Sequence, residues 1–311
     1  MKVEATGLGK SFGSRRAVDN LTFTLTPGRV TGFLGPNGSG KSTTLRLMLG
    51  LDHGDGETLF DGQRLTEFDR VTTVVGAHLD AKLFHPQRTA RSHLRMLAAE
   101  ANLPMERVDE VIALMGLTSV ANSRPKTFSM GMGQRLGLAG AILGKPEVLL
   151  LDEPANGLDP ATIHWLRDFL RAYAALGRCV LVSSHLLSEM ELMADDIIVI
   201  AQGRLVASES MESFIGRSSR NDVVVRTSDN AQLLAVLQSK GFSAAIEDTG
   251  VAVTGIDTDT VGHIAFETGL RVFELTARRA SLETAFLELT DSAQDYQTSG
   301  SLDESQGGAV A

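Results

Sequence analysis

Cysteine is nearly missing from this chain, with Cys179 the single one in 311 residues. An intrachain disulfide framework is therefore excluded. The apolar run Cys179-Val180-Leu181-Val182 predicts a buried core thiol at that position. No window approaches the ~20 consecutive apolar residues that a membrane span needs. The start, Met1-Lys2-Val3-Glu4-Ala5-Thr6, lacks the long apolar stretch of a signal peptide. Together these absences predict a cytoplasmic protein that reaches a membrane only through a partner. Positive charge is short as well: 29 Lys and Arg against 38 Asp and Glu give a net charge of -9. That balance argues against a nucleic-acid-binding surface. His53, His78, His85, His93, His164 and His263 show no metal-ligand spacing and read as surface or structural residues.

What is present is a globular composition, 43% hydrophobic and 22% charged, in a chain long enough for about two domains. The polar stretch Gly216-Arg217-Ser218-Ser219-Arg220-Asn221-Asp222 reads as a linker between residues 1–216 and a smaller part, 222–290. In the first part, apolar runs such as Val30 to Leu34, Glu147 to Leu151, Val180 to Val182 and Ile197 to Ile200 alternate with helical segments. Such runs fit a mostly parallel sheet covered by helices, an α/β fold. Residues 86–144 are helical in pattern, with helices expected over Arg88 to Ala101, Met105 to Met115 and Met132 to Leu143. They form an inserted helical subdomain. The smaller part reads as α+β, in the ferredoxin-like order β-α-β-β-α-β from Val223 to Leu275. Residues 291–311 are polar and read as a disordered tail.

Gly35-Pro36-Asn37-Gly38-Ser39-Gly40-Lys41-Ser42 matches G-x-x-x-x-G-K-[ST], between an apolar strand and the helical run Thr43 to Met48. Glycines let the backbone curl so that several N–H groups face one anion, and the following helix adds its N-terminal field. Lys41 then reaches the β- and γ-phosphates, Ser42 binds Mg²⁺, and Thr43 serves the α-phosphate side. A chance match in a chain of this composition arises about once in a hundred. More than a hundred residues later, Val148 to Leu151 runs into Asp152-Glu153. A parallel strand delivers its C-terminal residues to the ligand crevice. Asp152 suits Mg²⁺, and Glu153 suits polarising the attacking water.

Further motifs carry a family resemblance. Phe128-Ser129-Met130-Gly131-Met132, followed by Gly133-Gln134-Arg135, resembles the LSGGQ-x-Q-R signature of ABC (ATP-binding cassette) ATPases. Asn156-Gly157-Leu158-Asp159-Pro160 resembles their D-loop, and Ser184-His185 their switch histidine. Phe12 stands where the family stacks an aromatic on adenine, with Val18 beside it. The set spans most of residues 1–216. It implies a P-loop NTPase core that binds ATP and Mg²⁺ and hydrolyses ATP, with Glu153 as base and His185 at the γ-phosphate. It also implies a head-to-tail pair of cassettes in which Ser129, Gly131 and Asp159 contact the partner's nucleotide.

Two departures stand out. Met130 and Met132 replace the usual Gly and Gln of the signature, and Asp80 stands where the family has the Q-loop glutamine. A carboxylate there is expected to reach the metal region, or to cap the turn into the helical block. The whole chain, including Ser281 to Thr290, resembles ATPase subunits of bacterial ABC-2 exporters. That resemblance implies a separate transmembrane permease, docking near Ala81 to Pro86, and a dimer-support or regulatory role for the small domain. The alternative is a soluble ABC ATPase acting on ribosomes or DNA. Two cassettes in one chain, or a long coiled coil, mark such proteins, and the sequence shows neither.

Overall fold

The computed structural model describes residues 1–80, 84–85, 87–218, 222–247, 250–278 and 280–292. It divides into two compact units, Met1–Gly216 and Arg217–Ala311. The expected docking residues Ala81, Lys82, Leu83 and Pro86, the linker residues Ser219 to Asn221, and residues 293–311 of the expected tail lie outside the described residues.

The first unit opens with strands β1 (Val3–Phe12) and β2 (Arg15–Leu25), followed by β3 (Val30–Leu34) and helix α1 (Lys41–Met48). Next come β4 (Asp55–Phe60), β5 (Gln63–Arg64), α2 (Val71–Val74) and β6 (Val75–His78). The helical block holds α3 (Ala90–Glu100), α4 (Glu106–Leu114) and α5 (Met130–Ala141). After it run β7 (Val148–Leu151), α6 (Pro160–Ala174), β8 (Cys179–Ser184), α7 (Leu187–Met193), β9 (Asp196–Ala201), β10 (Arg204–Ser210) and α8 (Met211–Gly216).

Six of these strands form one sheet in the order β10-β9-β3-β8-β7-β6, parallel except for the β9–β10 pair. β3, β7 and β8 are buried at every residue, which is why they read as unbroken apolar runs. A second sheet, β2-β1-β4-β5, is antiparallel and absent from the sequence reading. The two share one core that includes Phe23, Phe33, Leu45, Phe60, Leu150 and Ile198. Cys179 lies in that core, where burial pushes its thiol up to about 11, and its Sγ–H donates to the Met1 carbonyl. Such a thiol stays protonated and inert.

Helix starts in this unit follow local chemistry. Thr89, Ser129 and Asp159 each cap a helix by accepting a backbone N–H three residues on. Pro160 adds a preset φ at the first position of α6.

The second unit comprises β11 (Asp222–Thr227), α9 (Asn230–Ser239), β12 (Ser243–Glu247), β13 (Gly250–Thr254), α10 (Thr258–Glu267), β14 (Val272–Arg278) and α11 (Leu282–Ser292). Its antiparallel sheet has the order β12-β13-β11-β14, the arrangement of a β-α-β-β-α-β unit. Alternate residues Val223, Val225, Val251 and Val253 meet Leu233, Leu237, Val261 and Ile264 from α9 and α10. Residues 291–292, expected in a tail, instead belong to α11, whose apolar residues begin at Leu282.

Candidate active site

The phosphate loop joins the buried strand β3 to α1. Gly40 caps that helix with φ of 106°, and a Cβ there would lie 2.5 Å from the Ala17 carbonyl oxygen. Only glycine meets both demands. Lys41, 7% exposed, donates from Nζ to the Gly35 carbonyl at 2.7 Å and lies 3.6 Å from Glu153 Oε1. Pro36 also offers its carbonyl to Nζ, at 3.4 Å. Ser42 is exposed and Thr43 half-buried on the first helical turn, where free backbone N–H groups favour an anion. Ser39 is buried, and its hydroxyl has no hydrogen-bond partner among the described residues.

A cleft of about 410 Å³ brings Phe12, Asn37, Lys41, Ser42, Thr43 and Glu153 together, with Gly38 and Gly40 also on its wall. Phe12, at the end of β1, is 55% exposed, and the Lys10 ammonium lies 5.2 Å from its ring centre. Its open ring suits stacking on a base. Val18 corrects the sequence reading: it has no exposed surface and packs in the core. Strand alternation sends neighbours to opposite faces, so Ala17 lines the cleft in its place, together with Arg15. Arg15 Nη2 also approaches the Gly38 carbonyl at 3.4 Å.

The carboxylates sit at the end of β7. Ser183 of β8 donates its hydroxyl to Asp152 Oδ1 and accepts the Glu153 N–H at 2.9 Å. One hydroxyl thus positions both acidic residues. Sequence reasoning missed Ser183; its signal is a polar residue closing the apolar run of β8 just before Ser184-His185. Glu153 has φ of 48°, a strained value for a residue with a side chain, and its carbonyl accepts the Asn156 N–H. His185 Nδ1 meets Glu153 Oε2 at 2.7 Å, while Lys41 faces the other oxygen. The carboxylate is therefore held between two basic groups, 24% exposed and open to a water.

The signature residues are elsewhere. None of Ser129, Gly131 or Asp159 lines the cleft. Ser129 caps α5 and is exposed, and Gly131 packs against Thr162 of α6, where a Cβ would lie 3.2 Å from Thr162 Cγ2. Both Asp159 carboxylate oxygens accept from Thr162, and the Thr162 backbone N–H holds its carboxyl below the usual range. Met130, the departure from the usual glycine, covers Gly157.

Asp80 is exposed and lines a different groove, about 450 Å³, together with Phe84, His93 and Leu97. The lining of the cleft with Ser42 includes neither Asp80 nor Asp152. Phe84 meets His93 edge-on at 5.2 Å, and burial pushes His93 below the usual histidine range.

Among the described residues no group of three or more His, Cys, Asp or Glu is placed to hold a metal. A Mg²⁺ ion that travels with nucleotide needs only one or two protein oxygens, since phosphates and water fill the rest. The exposed Ser42 hydroxyl and the Asp152 carboxylate, one oxygen of which is fixed by Ser183, fit that donor set.

A family model described as ABC transporter matches residues 18–156, and one described as Domain of unknown function (DUF8746) matches residues 221–283. The chain is 35% identical over 298 residues to the uncharacterized ABC transporter ATP-binding protein YhcH of Bacillus subtilis (strain 168), covering 94% of this chain and 97% of that protein. It is 32% identical over 304 residues to the bacitracin transport ATP-binding protein BcrA of Bacillus licheniformis, covering 92% and 96%. A solved ATP-binding subunit of an ABC transporter superposes with a TM-score of 0.63 at 25% identity, covering 70% of this chain and 93% of that one. With the phosphate loop, the paired carboxylates and the signature helix all in place, the chain belongs to the ABC transporter family, as an ATP-binding, ATP-hydrolysing subunit of the kind that powers membrane exporters.

Proposed function

We propose that two copies of this chain close head to tail around two ATP molecules and so drive a separate membrane permease. The observation that carries this reading is the incompleteness of the cleft. Its lining holds the phosphate loop and Glu153 but no signature residue, while Ser129 lies exposed at the start of α5. A second chain supplies the missing wall: its Ser129 and Gly131 meet the γ-phosphate. Asp159 follows as a positioning residue, because its carboxylate holds Thr162 and Thr162 backs Gly131.

Within the cleft, Phe12 stacks on the adenine, and Asn37, Gly38 and Gly40 present the loop to the phosphates. Lys41 exchanges its contacts with Gly35 and Pro36 for phosphate oxygens. Ser42 and Asp152 hold Mg²⁺, which supplies charge neutralisation on the phosphates. Glu153 orients and deprotonates the attacking water, and His185 fixes the Glu153 carboxylate at the γ-phosphate end. Positioning and electrostatics account for most of phosphoryl-transfer catalysis.

No helix among the described residues is long and apolar enough to cross a membrane, so the translocation path belongs to another chain. The groove of Phe84, Asp80, His93 and Leu97 beside the helical block receives a short helix of that permease. Export is favoured over work on ribosomes or DNA by the likeness to BcrA, named for bacitracin transport, along nearly the whole chain. Recovery of the tagged chain from its own cells in mild detergent tests the reading. A multi-span protein is expected in the membrane fraction. Recovery solely with ribosomes or DNA would leave the ATPase standing and overturn its coupling to transport.

A further inference from the structure

His78 closes β6, Gln134 lies on the second turn of α5, and both are buried, at 6% and 8% exposure. Their side chains meet at 2.6 Å, His78 Nε2 to Gln134 Oε1. An amide oxygen only accepts, so Nε2 carries the hydrogen. The ring reaches this position because Gly137, one turn along α5, has no side chain; a Cβ there would overlap the imidazole. On its main-chain side His78 is tied as firmly, since its carbonyl accepts the Asp152 N–H at 2.9 Å. One residue thus joins the helix that begins at Ser129 to the strand end that carries Asp152 and Glu153.

The catalytic roles above use neither residue, although Gln134 belongs to the signature run Phe128 to Arg135. His78 is buried and lines the groove beside the helical block, not the phosphate cleft. A leucine would fill a similar volume, so simple packing does not require an imidazole bonded to an amide. Two buried hydrogen-bonding groups facing each other fix one relative placement of helix and strand more narrowly than apolar contact does.

We infer that the His78–Gln134 hydrogen bond is a positioning link through which the signature helix sets the hydrolytic strand end of its own chain. The inference rests on the head-to-tail arrangement proposed above. In that arrangement Ser129 and Gly131 of a chain touch the nucleotide bound by its partner, whereas Asp152 and Glu153 serve its own. A shift of α5 on γ-phosphate contact is passed along a rigid helix to Gln134, then through His78 to the Asp152 backbone. The state of one ATP site is thereby reported to the other.

The test uses the full chain with ATP and Mg²⁺. In His78→Leu and Gln134→Leu, kcat is expected to fall about tenfold, with the Hill coefficient for ATP moving towards one. ADP affinity, which a single chain's cleft sets, stays unchanged, and the nucleotide-bound variants stay folded. The double variant is expected to be no worse than either single one, because both remove the same bond. Gln134→Glu keeps an acceptor for Nε2 and is expected to restore most of the rate. If His78→Leu fails to fold, Gln134→Asn withdraws the amide from the ring and reads the same bond. Folded variants with parental kcat and Hill coefficient, or losses that simply add, would overturn the link while leaving the two-chain site intact. A parent that stays monomeric with ATP and hydrolyses without cooperativity would remove the two-chain site and the link with it.

Discussion

At the scale of single residues, the site is a set of shared hydrogen bonds around β7 and β8. Ser183 is the clearest case, because one hydroxyl serves both Asp152 and Glu153. Ser183→Ala leaves the Glu153 N–H without its partner and frees the Asp152 carboxylate. An unsatisfied buried group costs about 1–3 kcal/mol. Chemical denaturation should show a loss of that size, and ATPase assays a lower kcat with little change in nucleotide affinity. An unaltered kcat would show that the bridge is dispensable. His93 gives a pH dependence. Its folded-state pKa is depressed from 6.5, first by burial and then by the nearby Arg88 charge. The unfolded chain therefore binds more protons as pH falls below about 6.5, so the stabilisation is complete above that value and is lost on acidification. His93→Leu should flatten the fall of melting temperature between about pH 7 and pH 5. Burial depresses His78 too, so the slope should shrink and not vanish. Identical slopes for parent and variant would refute the assignment. The sequence made Lys41, Ser42, Asp152 and Glu153 legible because each belongs to a short contiguous motif. Ser183 and the His185–Glu153 contact were not, since they join residues about thirty positions apart. Val18 and Ala17 were confused because the parity of a strand decides which neighbour faces ligand, and no local signal marks that parity.

At the scale of elements, the parallel strands were plain from their unbroken apolar runs, whereas the antiparallel sheet β2-β1-β4-β5 was not. β2 alternates exposed and buried residues only from Asn20 to Leu25, β1 does not alternate cleanly, and β1 carries three register shifts against β2. Helices of the inserted block begin at cap residues that propensity alone does not reveal: Ala90 follows Thr89 and Met130 follows Ser129. The loop between β3 and α1 depends on glycine in a way the sequence does show. Gly40→Ala forces a left-handed backbone onto a side chain and drives Cβ against the Ala17 carbonyl. The backbone term alone costs roughly 1–2 kcal/mol. Loss of ATP binding in calorimetry should exceed the loss of stability, because the same displacement turns the loop N–H groups away from the phosphates. Parental ATP affinity in a folded Gly40→Ala protein would show that the loop tolerates a side chain there.

At the scale of the whole molecule, the proposed pairing accounts for a signature helix that lies outside its own chain's cleft. The phosphate cleft and the signature helix belong to one compact unit, yet the cleft is lined without any signature residue. In the proposed arrangement a second copy closes it, which makes ATP both substrate and cement for the pair. Hydrolysis then undoes the closure, a two-state element biased by its ligand. Blocking the chemistry should therefore trap the pair. Glu153→Gln keeps the shape of the side chain and removes the base, so hydrolysis should fall about 10²- to 10⁴-fold. In sedimentation experiments the variant should be dimeric with ATP and Mg²⁺ and monomeric with ADP. Adding Ser129→Arg places a bulky cation at the exposed start of α5, outside the chain's own cleft. That second change should abolish the ATP-dependent dimer and leave ADP affinity as it was, since ADP needs only the residues of one chain. Persistence of the dimer would show that the signature helix does not face the partner's phosphates. Loss of ADP binding would instead mean that Ser129 acts within its own chain, and the cleft would have to be redrawn around it.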